Sequence, residues 1–470
     1  MRHYLISILS VILLGTACNR STSSNKTTYI GGQIVNPNVD YVILTQNSND
    51  LDTLPLNEEN QFGKHLEDLE AGIYTLKHPP ENQILYVEPG DSLLIWLNTL
   101  QFDRSLNFSG RGGEKSNFLL DMFLNNQRDN DLILSYYKIK PERFAKITDS
   151  IRKERLQKLE KLEKREEFSS DFKNIARTVI DYEYYDLRER YTFLIEKYYH
   201  GLTSEVPEDF YDYRKKIDFS NKELQSYYVY TNLIDDYLRS KSIEGCDTIA
   251  KPSQDCYDLA SYHNIKRRII LIDSLTSLSN MKNEFLDRLA TRGITMADTE
   301  GRVDSILEVL KEVNYENMEQ AQDLAAIHRN YFVGTSVNNN KLLNTSKEVI
   351  DYRGILEKPT IAFVWSIHSP SHHVWQHKHV RELRKKYPGI DFLGINIDEG
   401  ETEEWLSTVA ANNYNKKFEY QITSRNIDKE VFRKYIYKIF FIDPSGIIVD
   451  GDAKFQSPNF ETEILEFLNR

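Results

Sequence analysis

Cysteine is nearly absent from this chain: three in 470 residues, at Cys18, Cys246 and Cys256. No two of them stand in a Cys-x-x-Cys, the arrangement in which one thiolate attacks a disulfide and a second thiol resolves it. A basic excess is missing as well. Lys and Arg number 59 against 71 Asp and Glu, a net charge of -12, which removes support for nucleic-acid binding. There is no Walker loop, no Gly-x-Gly-x-x-Gly, no His-Glu-x-x-His and no Gly-x-Ser-x-Gly elbow. Nothing therefore points to a bound cofactor. The long apolar run needed to span a membrane in a mature protein is lacking too; Leu5 to Leu14 is too short.

What is present is aromatic and polar. Tyrosine (29) and phenylalanine (22) are plentiful, hydrophobic residues make up 40%, and charged residues 28%. With a mean hydropathy of -0.54, this describes a soluble body with real cores, and the length predicts two or three domains. At the N-terminus, Arg2 and His3 precede the short apolar run, and Gly15-Thr16-Ala17 leads to Cys18. Small residues directly before a cysteine resemble a bacterial lipobox, with Gly15 where leucine is usual; an ordinary secretory signal is the other reading. Residues 1–18 are then a lipoprotein signal peptide, Cys18 the acylated first residue of the mature chain, and residues 19–28 a polar tether. The resemblance implies anchoring to a membrane of the cell envelope. Asn19, in place of an aspartate that would favour inner-membrane retention, points to the outer membrane.

Cys246 and Cys256 stand with nine residues between them in a chain expected to be exported. A structural disulfide, two free thiols and a redox pair are all open readings.

Residues 29–112 show short β runs about ten residues apart, separated by turns such as Asn36-Pro37-Asn38 and Pro89-Gly90-Asp91, and predict an antiparallel sandwich or barrel. Residues 113–345 are helical. Pro141 sits where a first-turn proline belongs; Leu156, Leu159 and Leu162 suggest an amphipathic helix or short coiled-coil seam. Further helices are predicted around 171–200, 222–240, 264–290, 300–313 and 317–330. The tyrosine stripe Tyr182, Tyr184, Tyr185, Tyr191, Tyr198 and Tyr199 could bind a peptide or sugar, or pack between helices. Residues 346–470 alternate strands and helices. A helix over Thr402–Ala411, with Thr402 as N-cap, is followed by a strand near Phe418–Gln421, a helix near Ile427–Lys434, a hairpin over Ile439–Val449 and a last helix over Phe460–Leu468. The fold class is thus multidomain α+β: β-domain, central helical region, C-terminal α/β domain.

The C-terminal part is organised around Lys358 to Asp398. The apolar run Ile361 to Trp365, the turn Ser369-Pro370-Ser371-His372, a helix-period segment and a second apolar run, Ile390 to Ile397, form a βαβ unit with parallel strands. This unit, the block Phe440-Phe441-Ile442-Asp443-Pro444-Ser445-Gly446 and the element order resemble the thioredoxin-like proteins of the TlpA/ResA-like envelope branch. In that family the first strand ends in a tryptophan, here Trp365, and the turn carries Cys-x-x-Cys. Here Ser369 holds the place of the first cysteine and His372 or His373 that of the second. The family's cis-proline slot falls on Tyr437. The resemblance implies a thioredoxin-like fold and, because both thiols and the proline are gone, a redox-inactive site.

Five of the eleven histidines lie within twelve residues: His368, His372, His373, His377 and His379. His373 and His377 are one helical turn apart and could share a metal, with His368 or His372 as a third ligand; a polar helix terminus explains the same pattern. Ser369 beside His372 suggests a hydrolase but has no identifiable acid. The expected function is protein or peptide recognition, or architecture, by a lipid-anchored envelope protein. The alternatives are an oxidoreductase-related protein and a metal-binding protein using the histidine cluster.

Overall fold

The computed structural model describes residues 27–47, 49–136, 138–246, 254–338, 340–423, 434–451 and 453–469. The expected signal peptide, Cys18, nearly all of the tether and almost all of the expected helix at Ile427–Lys434 lie outside them. The chain forms two compact units. Of the described residues, the first takes those up to Tyr191 together with Glu205–Lys215 and Lys222–Leu233; the second takes Thr192–Ser204, Lys216–Asn221 and those from Ile234 onward. The structure therefore does not set the helices apart as a third module: it divides them between the two units.

The first unit begins with eight strands: β1 (Thr28–Val35), β2 (Tyr41–Gln46), β3 (Asn49–Pro55), β4 (Gln61–Leu66), β5 (Gly72–His78), β6 (Glu81–Val87), β7 (Ser92–Asn98) and β8 (Asn107–Arg111). They form two four-stranded sheets, ordered β4-β1-β7-β8 and β3-β2-β5-β6. Alternate residues of both sheets, among them Ile30, Ile34, Leu93 and Ile95 from one and Val42, Leu44, Leu76 and Leu85 from the other, share one core. The sandwich is not wholly antiparallel as expected. β1 and β7 run parallel, with Gly32 opposite Ile95, which is possible because some 60 residues of chain separate them and no hairpin joins them. Gly32 is required there: a Cβ would meet the Ile95 carbonyl oxygen at 1.9 Å.

Helix α1 (Gly113–Tyr136) closes onto β6: the Ser116 hydroxyl accepts from the Tyr86 N–H (3.1 Å) and donates to the Tyr86 carbonyl (3.1 Å). Helix α2 (Pro141–Arg165) starts at its proline; of the three leucines of the supposed seam only Leu159 is buried, and Arg155 beside it is buried as well. Helix α3 (Ser170–Tyr198) carries the tyrosine stripe, and much of that stripe packs inside the protein. Tyr182, Tyr185 and Tyr191 are buried, and Tyr191 stacks on Phe144 with centroids 3.9 Å apart. α3 and α4 (Tyr228–Ile243) each contribute to both units.

In the second unit, Cys246 and Cys256 are joined by a disulfide, Cα to Cα 5.9 Å. Helices α5 (Tyr262–Leu275), α6 (Ser279–Thr295), α7 (Glu300–Glu312) and α8 (Met318–Arg329) follow. The single helix expected over 264–290 is broken at Thr276–Leu278. There the Thr276 hydroxyl accepts from the Leu278 N–H (3.1 Å), a local bond that competes with the helix.

The remaining strands are β9 (Lys341–Asn344), β10 (Val349–Asp351), β11 (Thr360–Trp365), β12 (Asp391–Asn396), β13 (Glu419–Ile422), β14 (Ile439–Ile442) and β15 (Ile448–Asp450), with helices α9 (Pro370–Lys386), α10 (Thr402–Ala411) and α11 (Phe460–Leu468). They form a seven-stranded sheet, β10-β9-β13-β12-β11-β14-β15. β11 pairs parallel with β12 and antiparallel with β14. The sheet begins at Lys341, before the expected boundary at 346, because β9 pairs with β13. Thr402 is the first helical residue, not the cap; its hydroxyl donates to the Gln421 side-chain carbonyl (2.8 Å), and Glu401 holds the cap position. Ile361, Phe363 and Trp365 share one face of the sheet with Val380 and Leu383 of α9, Trp405 of α10 and Ile464 of α11. No described helix is long and apolar enough to cross a membrane.

Candidate functional site

All six residues of β11 are buried, as a strand inside a sheet covered on both faces requires. The strand ends at Trp365, and the chain must turn sharply to start α9 at Pro370. Asp398, at the end of β12, pins that turn. Its carboxylate accepts from the Ser366 hydroxyl (2.7 Å), the Ile367 N–H (2.7 Å) and the Asn396 amide (2.8 Å). The Gln421 amide donates to the Asn396 side-chain oxygen (3.0 Å) and to the Asp398 carbonyl (2.8 Å). Asn396, Asp398 and Gln421 are all buried, so the polar atoms of the turn are held from below.

Above this base, Ser369 occupies the N-cap of α9 without a side-chain capping bond. His372 meets the ring of Tyr437 edge to face, centroids 4.8 Å apart, and lies near Trp375 at 6.3 Å. Its Nδ1 has no hydrogen-bond partner among the described residues, and burial lowers its pKa. No hydrogen bond joins Ser369 to His372 among the described residues, so the pair forms no nucleophile–base couple. Tyr437 stands two residues before β14 and is 72% exposed; Val374 and Trp375 are 44% and 38% exposed. The structure thus brings Tyr437 against His372, one turn into the helix that Ser369 opens, and leaves Val374, Trp375 and Tyr437 exposed. The peptide bond before Tyr437 is trans.

The other two histidines of the cluster face inward. His373 Nδ1 lies 2.6 Å from the Tyr414 hydroxyl. His377 Nδ1 lies 2.7 Å from the His373 carbonyl oxygen, and its Nε2 lies 3.2 Å from Glu419 Oε1. The indole N–H of Trp365 donates to Glu419 Oε2 at 3.2 Å. Because a carbonyl only accepts, His377 Nδ1 is the donor in its contact with the His373 carbonyl. Burial, then the neighbouring His377 and His372, lowers the His373 pKa to about 4, so its imidazole is neutral. Burial and the Glu419 charge raise the Tyr414 phenol above its usual range.

This arrangement corrects the expectation of a metal shared by His373 and His377. Their spacing does put them on one helix face, but that face is the core. The rings are nearly perpendicular (86°) with centroids 6.3 Å apart, and three of their four nitrogens are already engaged. Of the other histidines, His368 pairs with Glu401 (2.7 Å) and His379 stacks on Trp375 (5.8 Å). Among the described residues no group of three or more His, Cys, Asp or Glu is placed to hold a metal.

Sequence reasoning missed Trp375, Asp398, Tyr414 and Glu419. Asn396 and Asp398 did leave a signal, polar residues closing an otherwise apolar run. Tyr414 and Glu419 left none, because their partners lie some 40 residues away in the chain.

No protein-family model matches this chain, and no curated protein matches it. Solved structures do. One is a thiol:disulfide interchange protein from Bacteroides sp., with 14% identity over 29% of this chain and 91% of that one, at a TM-score of 0.23. Another is the thioredoxin domain of a thiol-disulfide oxidoreductase from Bacteroides vulgatus, with 17% identity over 29% of this chain and 98% of that one, at a TM-score of 0.22.

Proposed function

We propose that the C-terminal sheet is a thioredoxin-like scaffold that recognises a protein or peptide segment and performs no thiol–disulfide exchange. The observation that carries this reading is the turn Ser369-Pro370-Ser371-His372, which offers no sulfur at the start of α9 and stands beside the exposed ring of Tyr437. Exchange needs a thiolate, and a serine hydroxyl cannot replace it. What remains are the exposed aromatic rings of Trp375 and Tyr437, both beside His372, over a turn held by Asp398. Aromatic anchors on a rigid support are what binding hot spots use. In this reading the chain is an envelope lipoprotein acylated at Cys18, and its partner is another envelope protein.

Two assays test the proposal on the full chain. In insulin reduction with dithiothreitol, no rate above background is expected. In panning of a phage-displayed peptide library, selected peptides should lose most of their affinity for Trp375→Ala and Tyr437→Ala. Insulin reduction by the wild type, or peptides that bind the variants equally well, would contradict it.

A further inference from the structure

The two faces of the C-terminal sheet are filled differently. Ile361, Phe363 and Trp365 of β11 face the core under α9 and α11, whereas Ala362 and Val364 face the other side. On that side lies a cavity of about 800 Å³. Its floor is apolar, built from Leu342, Ala362, Val364, Ile395, Ile397 and Phe440. It lies within the size range of pockets that enclose a small organic molecule. Val349, on the edge strand β10, lines it and is 58% exposed, which gives the cavity a way out to solvent.

Three tyrosines, Tyr331, Tyr352 and Tyr435, bring polar groups to this apolar space. The rings of Tyr331 and Tyr435 are 5.9 Å apart. Tyr435 is 3% exposed, and its hydroxyl has no hydrogen-bond partner among the described residues. A buried hydroxyl in a native protein almost always has one. Burial raises all three phenols above their usual range, so each is a protonated donor at physiological pH.

From this geometry we propose that the cavity binds a single-chain amphiphile: an apolar tail along the sheet face and a hydrogen-bond-accepting carboxyl or ester head at the tyrosine cluster. The apolar floor fits the tail, and the unpaired Tyr435 hydroxyl needs an acceptor that a purely apolar ligand would not supply. The site is separate from the rim around Tyr437 and does not depend on the peptide-binding reading.

The test uses the full chain carrying Cys18→Ser, so that no protein-bound acyl chain competes, and the fluorescent fatty acid 11-(dansylamino)undecanoate as probe. Saturable binding of one equivalent, displaced by dodecanoate, is expected. Tyr435→Phe removes one atom and should weaken binding about three- to tenfold, the loss of one hydrogen bond. The same substitution should raise the melting temperature of the ligand-free protein, since it removes an unpaired buried hydroxyl. Ala362→Phe should abolish binding by filling the floor; should that variant fail to fold, the Tyr435→Phe pair of effects still decides. Trp375→Ala should bind the probe normally. Absence of saturable binding, undiminished affinity in Tyr435→Phe, or loss of binding in Trp375→Ala would overturn the proposal.

Discussion

The imidazole of His377 lies face to face with the phenol ring of Tyr414, the centroids 3.5 Å apart and the planes 2° from parallel. This contact fastens α9 to the chain just after α10. Glu419 extends it by taking bonds from both His377 and Trp365. A histidine cluster that in sequence suggests a metal site is, in the fold, the support beneath a turn.

Glu419 is therefore expected to matter for stability. Its side chain is fully buried and serves two partners. Glu419→Leu leaves the Trp365 N–H without its acceptor and the buried His377 Nε2 without its partner, and should cost about 3 kcal/mol in denaturant unfolding. Gly394→Ala should act through the same group, since a Cβ there would stand 2.4 Å from the Glu419 carboxylate. Unchanged unfolding midpoints in both variants would remove this support from the account.

Acid should weaken the second unit through His373. Its pKa falls from 6.5 to about 4 on folding, chiefly through burial. Between those values the unfolded chain takes up a proton that the folded chain refuses. Stability is therefore complete above pH 6.5 and falls as the pH drops towards 4, by about 2 kcal/mol between pH 7 and 5. His372, also lowered by burial, adds to the loss with the same sign. His373→Gln, which can still bond Tyr414, should lose less on acidification than the wild type. Melting curves of both proteins at pH 7 and pH 5 check this.

The proposed reading of the α9 turn can be tested by supplying the thiols it lacks. Ser369→Cys with His372→Cys places two thiols at a helix N-terminus, where a thiolate is favoured. The double variant should reduce insulin measurably while the wild type does not. A double variant that forms its disulfide yet stays inert would show that Ser369 and His372 do not occupy a former exchange site.

The Cys246–Cys256 disulfide should be structural. Cys246 is buried and packs with Phe193 and Ile243. Closing so short a loop is worth about 2–3 kcal/mol. Cys246→Ser should lower stability by that order, measurable by calorimetry, and leave insulin reduction at background.

Much of the C-terminal sheet was legible because its signals are local. The run Ile361–Trp365, the turn that ends it and the bounds Phe460–Leu468 follow from periodicity and breakers over short windows. The parallel pairing of β1 with β7 was not legible, since hydrophobic alternation is the same for parallel and antiparallel neighbours. The break at Thr276 was hidden by an apolar periodicity that continues through it. At the site, Trp365, Ser369, His372 and Tyr437 were placed by resemblance, and the structure brings them to one end of the sheet. The burial of His373 and His377 depends on Tyr414 and Glu419, which only the folded chain delivers.

The recognition claim is tested most directly by a photo-crosslinking residue, p-benzoylphenylalanine, put in place of Tyr437 in the full chain in its native envelope. A control carries it at Leu465, exposed on α11. The geometry predicts one discrete adduct from position 437, absent from position 465 and lost when Trp375→Ala is added. No adduct at 437, or the same adducts from both positions, would contradict a binding cleft at the start of α9.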